Sequence, residues 1–332
     1  MLRLIRRLLL LALLVVLAAS GWLLYYAVTP MLGGGAAYPL AFSIERGASL
    51  RAASESLGAA GALERPEAFV LIARLRGMAG DIRAGSYALE TPASPLELLR
   101  KITAGDTVLQ KITFVEGWTF AEMRRAIEAH PGLRQDTAGL SEADLLKAVG
   151  AEVEHPEGWF LPDTYFFDAG SSDLAIYRRA HDAMRKLLEQ EWPMRAAGLP
   201  YAAPYEALIM ASIIEKETGA PEERPQIASV FVNRLSIGMR LQTDPTVIYG
   251  LGARFDGNLR KVDLQTDTAY NTYTRAGLTP TPIALPGAAA LRAALHPEQT
   301  RYLYFVSMGN GLHVFSENLN AHNRAVNRYQ RR

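Results

Sequence analysis

In Leu208-Ile209-Met210-Ala211-Ser212-Ile213-Ile214-Glu215-Lys216-Glu217-Thr218-Gly219, seven apolar or small residues run without interruption into two acids. Residues 205–218 therefore read as a very apolar helix with a charged end. Gly219 fits the left-handed residue that commonly follows a helix C-terminus. Acids at that end face the negative pole of the helix dipole, which disfavours their charge by ~0.3–1 kcal/mol. Burial of the helix also desolvates them, and both effects favour the protonated carboxyl. A general acid working near neutral pH needs that property. Glu215 and Glu217 project about 200° apart around the helix. Only one can share a face with a substrate; the other pairs with Lys216 or Arg224 or faces solvent. The competing reading is an ordinary solvated helix end with ion pairs.

Outward from this helix the chain alternates helix and strand, so the fold class is α+β. Upstream, residues 41–45 and 85–89 read as strands, with helices over 49–60 and 66–76 between them. They form a compact β-α-α-β unit. Ser94-Pro95-Leu96-Glu97 and Thr119-Phe120-Ala121-Glu122 are capping boxes, opening helices that reach about 103 and 129. Residues 108–115 alternate like a strand, and 141–149 and 174–192 read as helices. Downstream, a helix is predicted over 226–235. Thr243-Asp244-Pro245-Thr246 opens a short helix with Asp244 as N-cap, closed by Gly250. Residues 251–287 are mostly loop. Residues 302–307 and 312–316 flank Met308-Gly309-Asn310-Gly311, a hairpin signal. A polar helix ends the chain.

The sequence has 332 residues, 49% of them hydrophobic, and a formal net charge of +1. That is ample for a core and excludes wholesale disorder. The absence of cysteine excludes disulfides, a thiol nucleophile and Cys-ligated zinc. Near-neutral charge argues against a general nucleic-acid binder. Charge is nonetheless placed unevenly: without Arg3, Arg6 and Arg7, the 35 basic residues fall to 32 against 34 acidic ones. Those arginines precede residues 8–28, an uncharged run that spans ~32 Å as a helix, enough for a bilayer core. Trp22, Tyr25 and Tyr26 lie at its far end, where amphipathic rings favour the interface. The expected organisation is a cytoplasmic basic tail (1–7), a single transmembrane helix (8–28), a linker (29–39), a small unit (40–106) and a larger domain (107–332). By the positive-inside rule the N-terminus is cytoplasmic and the body lies on the extracytoplasmic side of the cytoplasmic membrane. The competing reading is a signal peptide cleaved near Ala18-Ala19-Ser20.

Most catalytic templates fail. There is no His-Glu-x-x-His, G-x-S-x-G, S-x-x-K or G-x-x-x-x-G-K-[ST], and the six histidines are scattered. Carboxylate chemistry remains. Tyr165, Tyr249, Tyr270, Tyr273, Trp118 and Trp159 are candidate sugar-stacking rings, against a bland role in the core. Tyr270-Asn271-Thr272-Tyr273, in a loop, combines rings, hydroxyls and an amide suited to a carbohydrate.

Ala211-Ser212-Ile213-Ile214-Glu215-Lys216-Glu217-Thr218 resembles the signature of the YceG-like (MltG) endolytic murein transglycosylases. So do the run from Ala228 to Leu235 and Ile237-Gly238-Met239-Arg240-Leu241-Gln242-Thr243-Asp244-Pro245-Thr246-Val247-Ile248-Tyr249-Gly250. Ala269-Tyr270-Asn271-Thr272-Tyr273-Thr274, Glu157-Gly158-Trp159-Phe160-Leu161-Pro162-Asp163-Thr164, Val115-Glu116-Gly117-Trp118 and Leu303-Tyr304-Phe305-Val306 fit in the same order. The resemblance implies a small LysM-like βααβ unit joined to a mixed α/β catalytic domain. It implies cleavage of the β-1,4 bond from N-acetylmuramic acid to N-acetylglucosamine in peptidoglycan strands, leaving a 1,6-anhydro end.

On that resemblance the essential acid aligns with Glu217, with Glu215 as the fallback. Substrate contacts are expected from Glu215, Asn233, Gln242 and Asp244, and from Tyr249, Tyr270, Asn271 and Tyr273. No metal and no cofactor is expected. The expected partners are glycan strands, the membrane and a penicillin-binding synthase, without nucleic acid. The alternatives are a non-catalytic peptidoglycan-binding scaffold and a muramidase using a second carboxylate, Asp163 or Asp244.

Overall fold

The computed structural model describes residues 2–31, 38–45 and 47–330. Most of the linker expected at 29–39, residues 32–37, lies outside them. The chain divides into two compact units. Unit 1 comprises Met1–Lys111 with Phe166–Ser171, and unit 2 comprises Ile112–Tyr165 with Ser172–Arg332. The division falls a few residues beyond the expected 106/107 boundary.

Unit 1 opens with α1 (Leu2–Val28), whose apolar side chains are exposed along most of its length. From Arg3 to Val28 it is long and apolar enough to cross a membrane. Its last turn behaves differently. Tyr26 and Ala27, with Met31, are buried in the core of unit 1, and Met31 N donates to Ala93 O at 3.2 Å. The start of the expected linker is thus packed in place. An apolar side chain covered by a core contributes about 1.5–3 kcal/mol, which a solvated spacer would forgo. The Arg65 guanidinium sits 5.4 Å from the Trp22 ring, and Tyr26 Oη accepts from Arg65 N.

The rest of unit 1 follows the expected order: β1 (Leu40–Ile44), α2 (Leu50–Ala59), α3 (Pro66–Leu75), β2 (Gly85–Leu89) and α4 (Pro95–Ala104). β1 and β2 pair antiparallel, with Leu40 opposite Leu89 and Ile44 opposite Gly85. Alternation puts Phe42 and Ile44 of one strand and Tyr87 and Leu89 of the other into the core. Phe42 and Tyr87, directly opposite, stack at 5.4 Å. Ser49 caps α2, and Ser94 with Glu97 forms the capping box of α4.

β3 (Leu109–Thr113) runs across the division. Unit 2 continues with α5 (Phe120–Glu128), opened by the Thr119/Glu122 capping box, then β4 (Leu133–Arg134) and α6 (Glu142–Val149). After β5 (Thr164–Asp168) and β6 (Ser171–Ser172) comes α7 (Asp173–Glu191). The core is built on α8 (Pro204–Glu217), where every residue from Ala207 to Ile214 is buried. A helix apolar on all sides needs neighbours on all sides. Alongside it pack α9 (Arg224–Ser236), α10 (Asp244–Leu251) and, beyond the short α11 (Lys261–Gln265), the alanine-rich α12 (Ala288–Leu295). Ser212 is fully buried yet satisfied: its hydroxyl donates to Ile209 O and accepts from Ile283 N. The antiparallel hairpin of β7 (Tyr304–Ser307) and β8 (His313–Ser316) follows, then α13 (Leu319–Tyr329). The fold is thus mixed helix and strand, as expected.

Candidate active site

The two acids at the end of α8 meet opposite surroundings. Glu215 has a side chain only 4% exposed and both oxygens engaged. Its Oε1 lies 3.0 Å from Arg224 Nη2, and its Oε2 accepts from Gly287 N at 2.9 Å. Arg224 also reaches Glu116 at 3.4 Å. Burial pushes the Glu215 carboxyl up, while the Gly287 N–H and the Arg224 cation oppose that push. This acid is an anchor joining the end of α8 to the start of α9 and to the approach to α12. The pairing with Arg224 is one of the alternatives the two-residue spacing allowed.

Among the described residues Glu217 has a single hydrogen-bond partner, the Thr243 hydroxyl, which donates to its Oε1. Its Oε2 has none among the described residues, and none of their cations lies within ion-pair distance. The residue keeps some exposed surface, but its carboxyl is desolvated. Burial raises its pKa above the ordinary range. The Thr243 hydrogen bond opposes the rise, the Asp244 charge adds to it, and His313 and Arg234 oppose it. α8 is not closed by a left-handed Gly219. Thr218, buried and extended (φ −141°, ψ 136°), turns the chain out, and its hydroxyl accepts from Ala220 N at 2.9 Å.

Thr243 is held by a small network. Its N–H donates to Thr272 Oγ1 at 3.1 Å, and its carbonyl accepts from Thr246 Oγ1 at 2.7 Å. The Thr246 and Thr272 hydroxyls are 2.9 Å apart, and all three threonines are buried. The preceding Gln242 is the one non-glycine residue with positive φ (50°) among the described residues. That backbone costs about 1–2 kcal/mol and persists because its surroundings fix it. Gln242 N donates to Thr272 O, and Leu241 O accepts from Arg234 Nη1.

Thr243, not Asp244, occupies the N-cap of α10, and no side chain caps that end. Asp244 is the first helical residue, and its Oδ1 accepts from Tyr273 Oη at 2.6 Å. Burial and the Asp244 carboxylate hold the Tyr273 proton firmly. The helix closes on Gly252 (φ 53°), not Gly250. Gly250 lies inside it, where a Cβ would come 3.1 Å from Tyr270 Cβ.

Arg234 is buried, with Nε donating to Leu303 O at 2.7 Å and the guanidinium 5.4 Å from the Tyr304 ring. It has no carboxylate at ion-pair distance among the described residues. His313 on β8 pairs with Glu223, Nδ1 to Oε2 at 2.7 Å, while its N–H donates to Glu223 Oε1 at 2.8 Å.

A third acid is Glu157, buried, with Oε1 accepting from Phe120 N at 2.8 Å and Oε2 from Tyr249 Oη at 3.0 Å. Burial pushes it up to about 7 against those two hydrogen bonds. The next residue, Gly158, has φ +83°, and a Cβ there would lie 2.5 Å from Pro282 Cγ.

The structure brings Glu217, Thr243, Asp244 and Tyr273 together, with Gln242 adjoining. It gives several other candidates internal partners. Asn271 is fully buried and donates to the carbonyls of Asp263, Leu264 and Thr266. Tyr249 and Tyr270 are 5.0 Å apart edge to face, and the Tyr270 hydroxyl is 2.9 Å from Thr281 Oγ1. Asn233 donates to the carbonyls of Thr300 and Tyr302 and lines an open groove of about 720 Å³ with Ser229, Arg301 and Glu317. Of the sugar-stacking candidates, Tyr165 is buried and Trp159 stacks on Tyr205 at 5.7 Å. Asp163 accepts from Thr164 N. No group of three or more metal-ligating side chains occurs among the described residues.

The residues that sequence reading passed over are Thr243, Arg234 and Glu157. Thr243 was visible as a helix opener and, like Arg234, as one residue of a family-like stretch, with no role attached to either. Glu157 opened another family-like stretch, again with no role attached.

Residues 42–328 match the model of the YceG-like family. An endolytic murein transglycosylase of Bacillus subtilis is 33% identical, with 86% of this chain and 84% of that protein covered. An enzyme of the same name from Streptococcus pneumoniae is 27% identical, and this chain spans 57% of its length. A crystal structure of a YceG-like protein from Listeria monocytogenes superposes with a TM-score of 0.53 at 30% identity, covering 86% of this chain and 97% of that one.

Proposed function

The chain belongs to the YceG-like family, and from that premise we propose that it is a peptidoglycan lytic transglycosylase with Glu217 as its single acid and base. The observation that carries the residue choice is the freedom of one oxygen. Glu215 and Glu157 have both carboxyl oxygens hydrogen-bonded within the protein, whereas among the described residues Glu217 has only Oε1 engaged. A proton donor needs an oxygen that can face the substrate.

In the proposed reaction protonated Glu217 gives its proton to the glycosidic oxygen as the bond from C1 of N-acetylmuramic acid breaks. The resulting carboxylate takes the proton of that sugar's own 6-hydroxyl as O6 bonds to C1. The products are a new N-acetylglucosamine end and a 1,6-anhydro end. Intramolecular attack removes the entropy of recruiting water, worth up to ~7–11 kcal/mol in ideal geometry. Burial keeps Glu217 protonated for the first step, and Arg234 and His313 favour its charge in the second. Gln242, Asp244 and Tyr273 adjoin Glu217 and are the proposed substrate contacts. Glu215, Tyr249, Tyr270 and Asn271 support the site from within, and Asn233 reaches glycan only along its own groove.

A second reading is hydrolysis, favoured by the Asp244 carboxylate that acts on Glu217. α1 is proposed to anchor the enzyme in the cytoplasmic membrane with its N-terminus inside, and residues 40–106 to be the LysM-like module. The work would fall on nascent strands beside a penicillin-binding synthase. The test is mass spectrometry of glycan strands digested by the full chain in detergent, wild type beside Glu217→Gln. Anhydro ends from wild type alone support the proposal. Reducing ends make the enzyme a hydrolase. Equal products from both variants remove Glu217 from the chemistry.

A further inference from the structure

We infer that Thr243 is a positioning residue that decides which oxygen of Glu217 carries the catalytic proton; this rests on the transglycosylase reading above. The Thr243 hydroxyl has one proton and gives it to Glu217 Oε1. An oxygen that accepts that bond is the carbonyl oxygen of a neutral carboxyl, so the acid proton resides on Oε2. Oε2 is the oxygen without a hydrogen-bond partner among the described residues. Glu217 itself keeps some exposed surface, so the residue is not sealed in the core. One atom then serves both half-reactions. The Oε2–H bond breaks as the leaving oxygen is protonated, and it re-forms as the 6-hydroxyl proton is taken.

The geometry is built for constancy. Residues 241, 242 and 243 are each tied by a backbone group: Leu241 O to Arg234, Gln242 N to Thr272 O, and Thr243 N to Thr272 Oγ1. Thr246 ties the Thr243 carbonyl from the other side. The left-handed Gln242 and this lattice of hydroxyls leave Thr243 Oγ1 aimed at Oε1. A rotating carboxyl would present either oxygen to the substrate; a fixed one presents Oε2. The charged and titratable groups that face Glu217 are Asp244 and Tyr273 on one side, Arg234 of α9, and His313 of β8 with its partner Glu223.

The experiment compares Thr243→Val and Thr243→Ser with wild type and Glu217→Gln in the full chain, with thermal unfolding to check folding. The valine variant is expected to lose tenfold or more in kcat with KM within about threefold. Its alkaline limb should move to higher pH, since a hydrogen bond favouring the carboxylate is gone. Serine, which keeps the hydroxyl, should restore kcat and the limb. Valine equal to wild type overturns the inference, as does a folded serine variant as impaired as valine, because packing would then explain the loss. The infrared carboxyl stretch, read as wild type minus Glu217→Gln without substrate, gives a check independent of turnover. It should shift in valine and not in serine, and an unshifted band in valine overturns the inference. Failure of the transglycosylase reading looks different: Glu217→Gln would keep activity, or no anhydro ends would form from any variant.

Discussion

Arg224 Nη2 lies 3.0 Å from Glu215 Oε1, and that ion pair separates the roles of the two acids at the end of α8. Glu215 is neutralised, hydrogen-bonded on both oxygens and shielded from solvent. Glu217, on the other side of the helix, has no cation at that distance and one open oxygen among the described residues. The same helix end therefore carries one acid bound on both oxygens and one that we propose to be the reactive acid.

Replacing Glu215 by Gln leaves Arg224 buried with the half-exposed Glu116 as its one carboxylate partner among the described residues. Removing one member of a buried pair costs about 3–5 kcal/mol, reduced here by that second carboxylate to about 2–3 kcal/mol. Chemical denaturation of full chains should show Glu215→Gln less stable than wild type. Glu217→Gln should be about as stable as wild type near neutral pH, having exchanged one neutral desolvated group for another. Equal loss in both would undo the distinction.

Glu157 makes stability depend on pH in a stated direction. Its pKa in the folded chain is about 7, against 4.5 for an unperturbed Glu. Between those values the folded state holds a proton that the unfolded state has released, so stability falls as pH rises through that window. The full loss, reached above pH 7, is of the order of 2–4 kcal/mol. Glu157→Gln should flatten this slope, so that variant and wild type differ more at pH 8 than at pH 5. A pH-independent difference would contradict the assignment.

Gly158→Ala should destabilise unit 2 strongly. The backbone is left-handed, and the new methyl would meet the rigid Pro282 ring at 2.5 Å. Left-handed strain of about 1–2 kcal/mol adds to an overpacking cost of about 1–3 kcal/mol. A melting temperature within about 2 °C of wild type would mean the ring can move aside.

Asn271→Ala would leave the carbonyls of Asp263, Leu264 and Thr266 without their shared donor. An expected cost of about 1–3 kcal/mol per orphaned group, partly recovered by water, puts the total at a few kcal/mol. Unfolding measurements should show that loss, with KM for glycan within about threefold in the folded fraction. A large rise in KM without loss of stability would make Asn271 a substrate ligand instead.

Because the chain has no cysteine, a single introduced thiol reports topology cleanly. Ser56, exposed on α2, is a suitable position. In intact cells Ser56→Cys should react with a membrane-impermeant maleimide, and a cysteine at Arg3 should react only after lysis. The reverse pattern would invert the proposed orientation.

Much of the local structure was legible in the sequence because it depends on neighbours in the chain. The capping boxes at Ser94 and Thr119, the β1 and β2 strands, the apolar helix ending in two acids and the final hairpin follow from periodicity, caps and turn residues. The family-like segments pointed to Glu217 as the acid, and the two-residue spacing required the acids to part. What only the tertiary structure decided were the long-range partners. Arg224 selects Glu215, nine residues away; Thr243 reaches Glu217 from 26 residues away; and Phe120 with Tyr249 closes off Glu157. The wrong expectations were also local rules overridden at a distance. Asp244 is drawn to Tyr273 instead of capping α10, Thr218 replaces Gly219 as the exit from α8, and Met31 packs on unit 1 where a spacer was expected. Periodicity tells which face of an element is buried, but a hydrogen bond's partner depends on which element folds against that face, and no spacing along the chain encodes it.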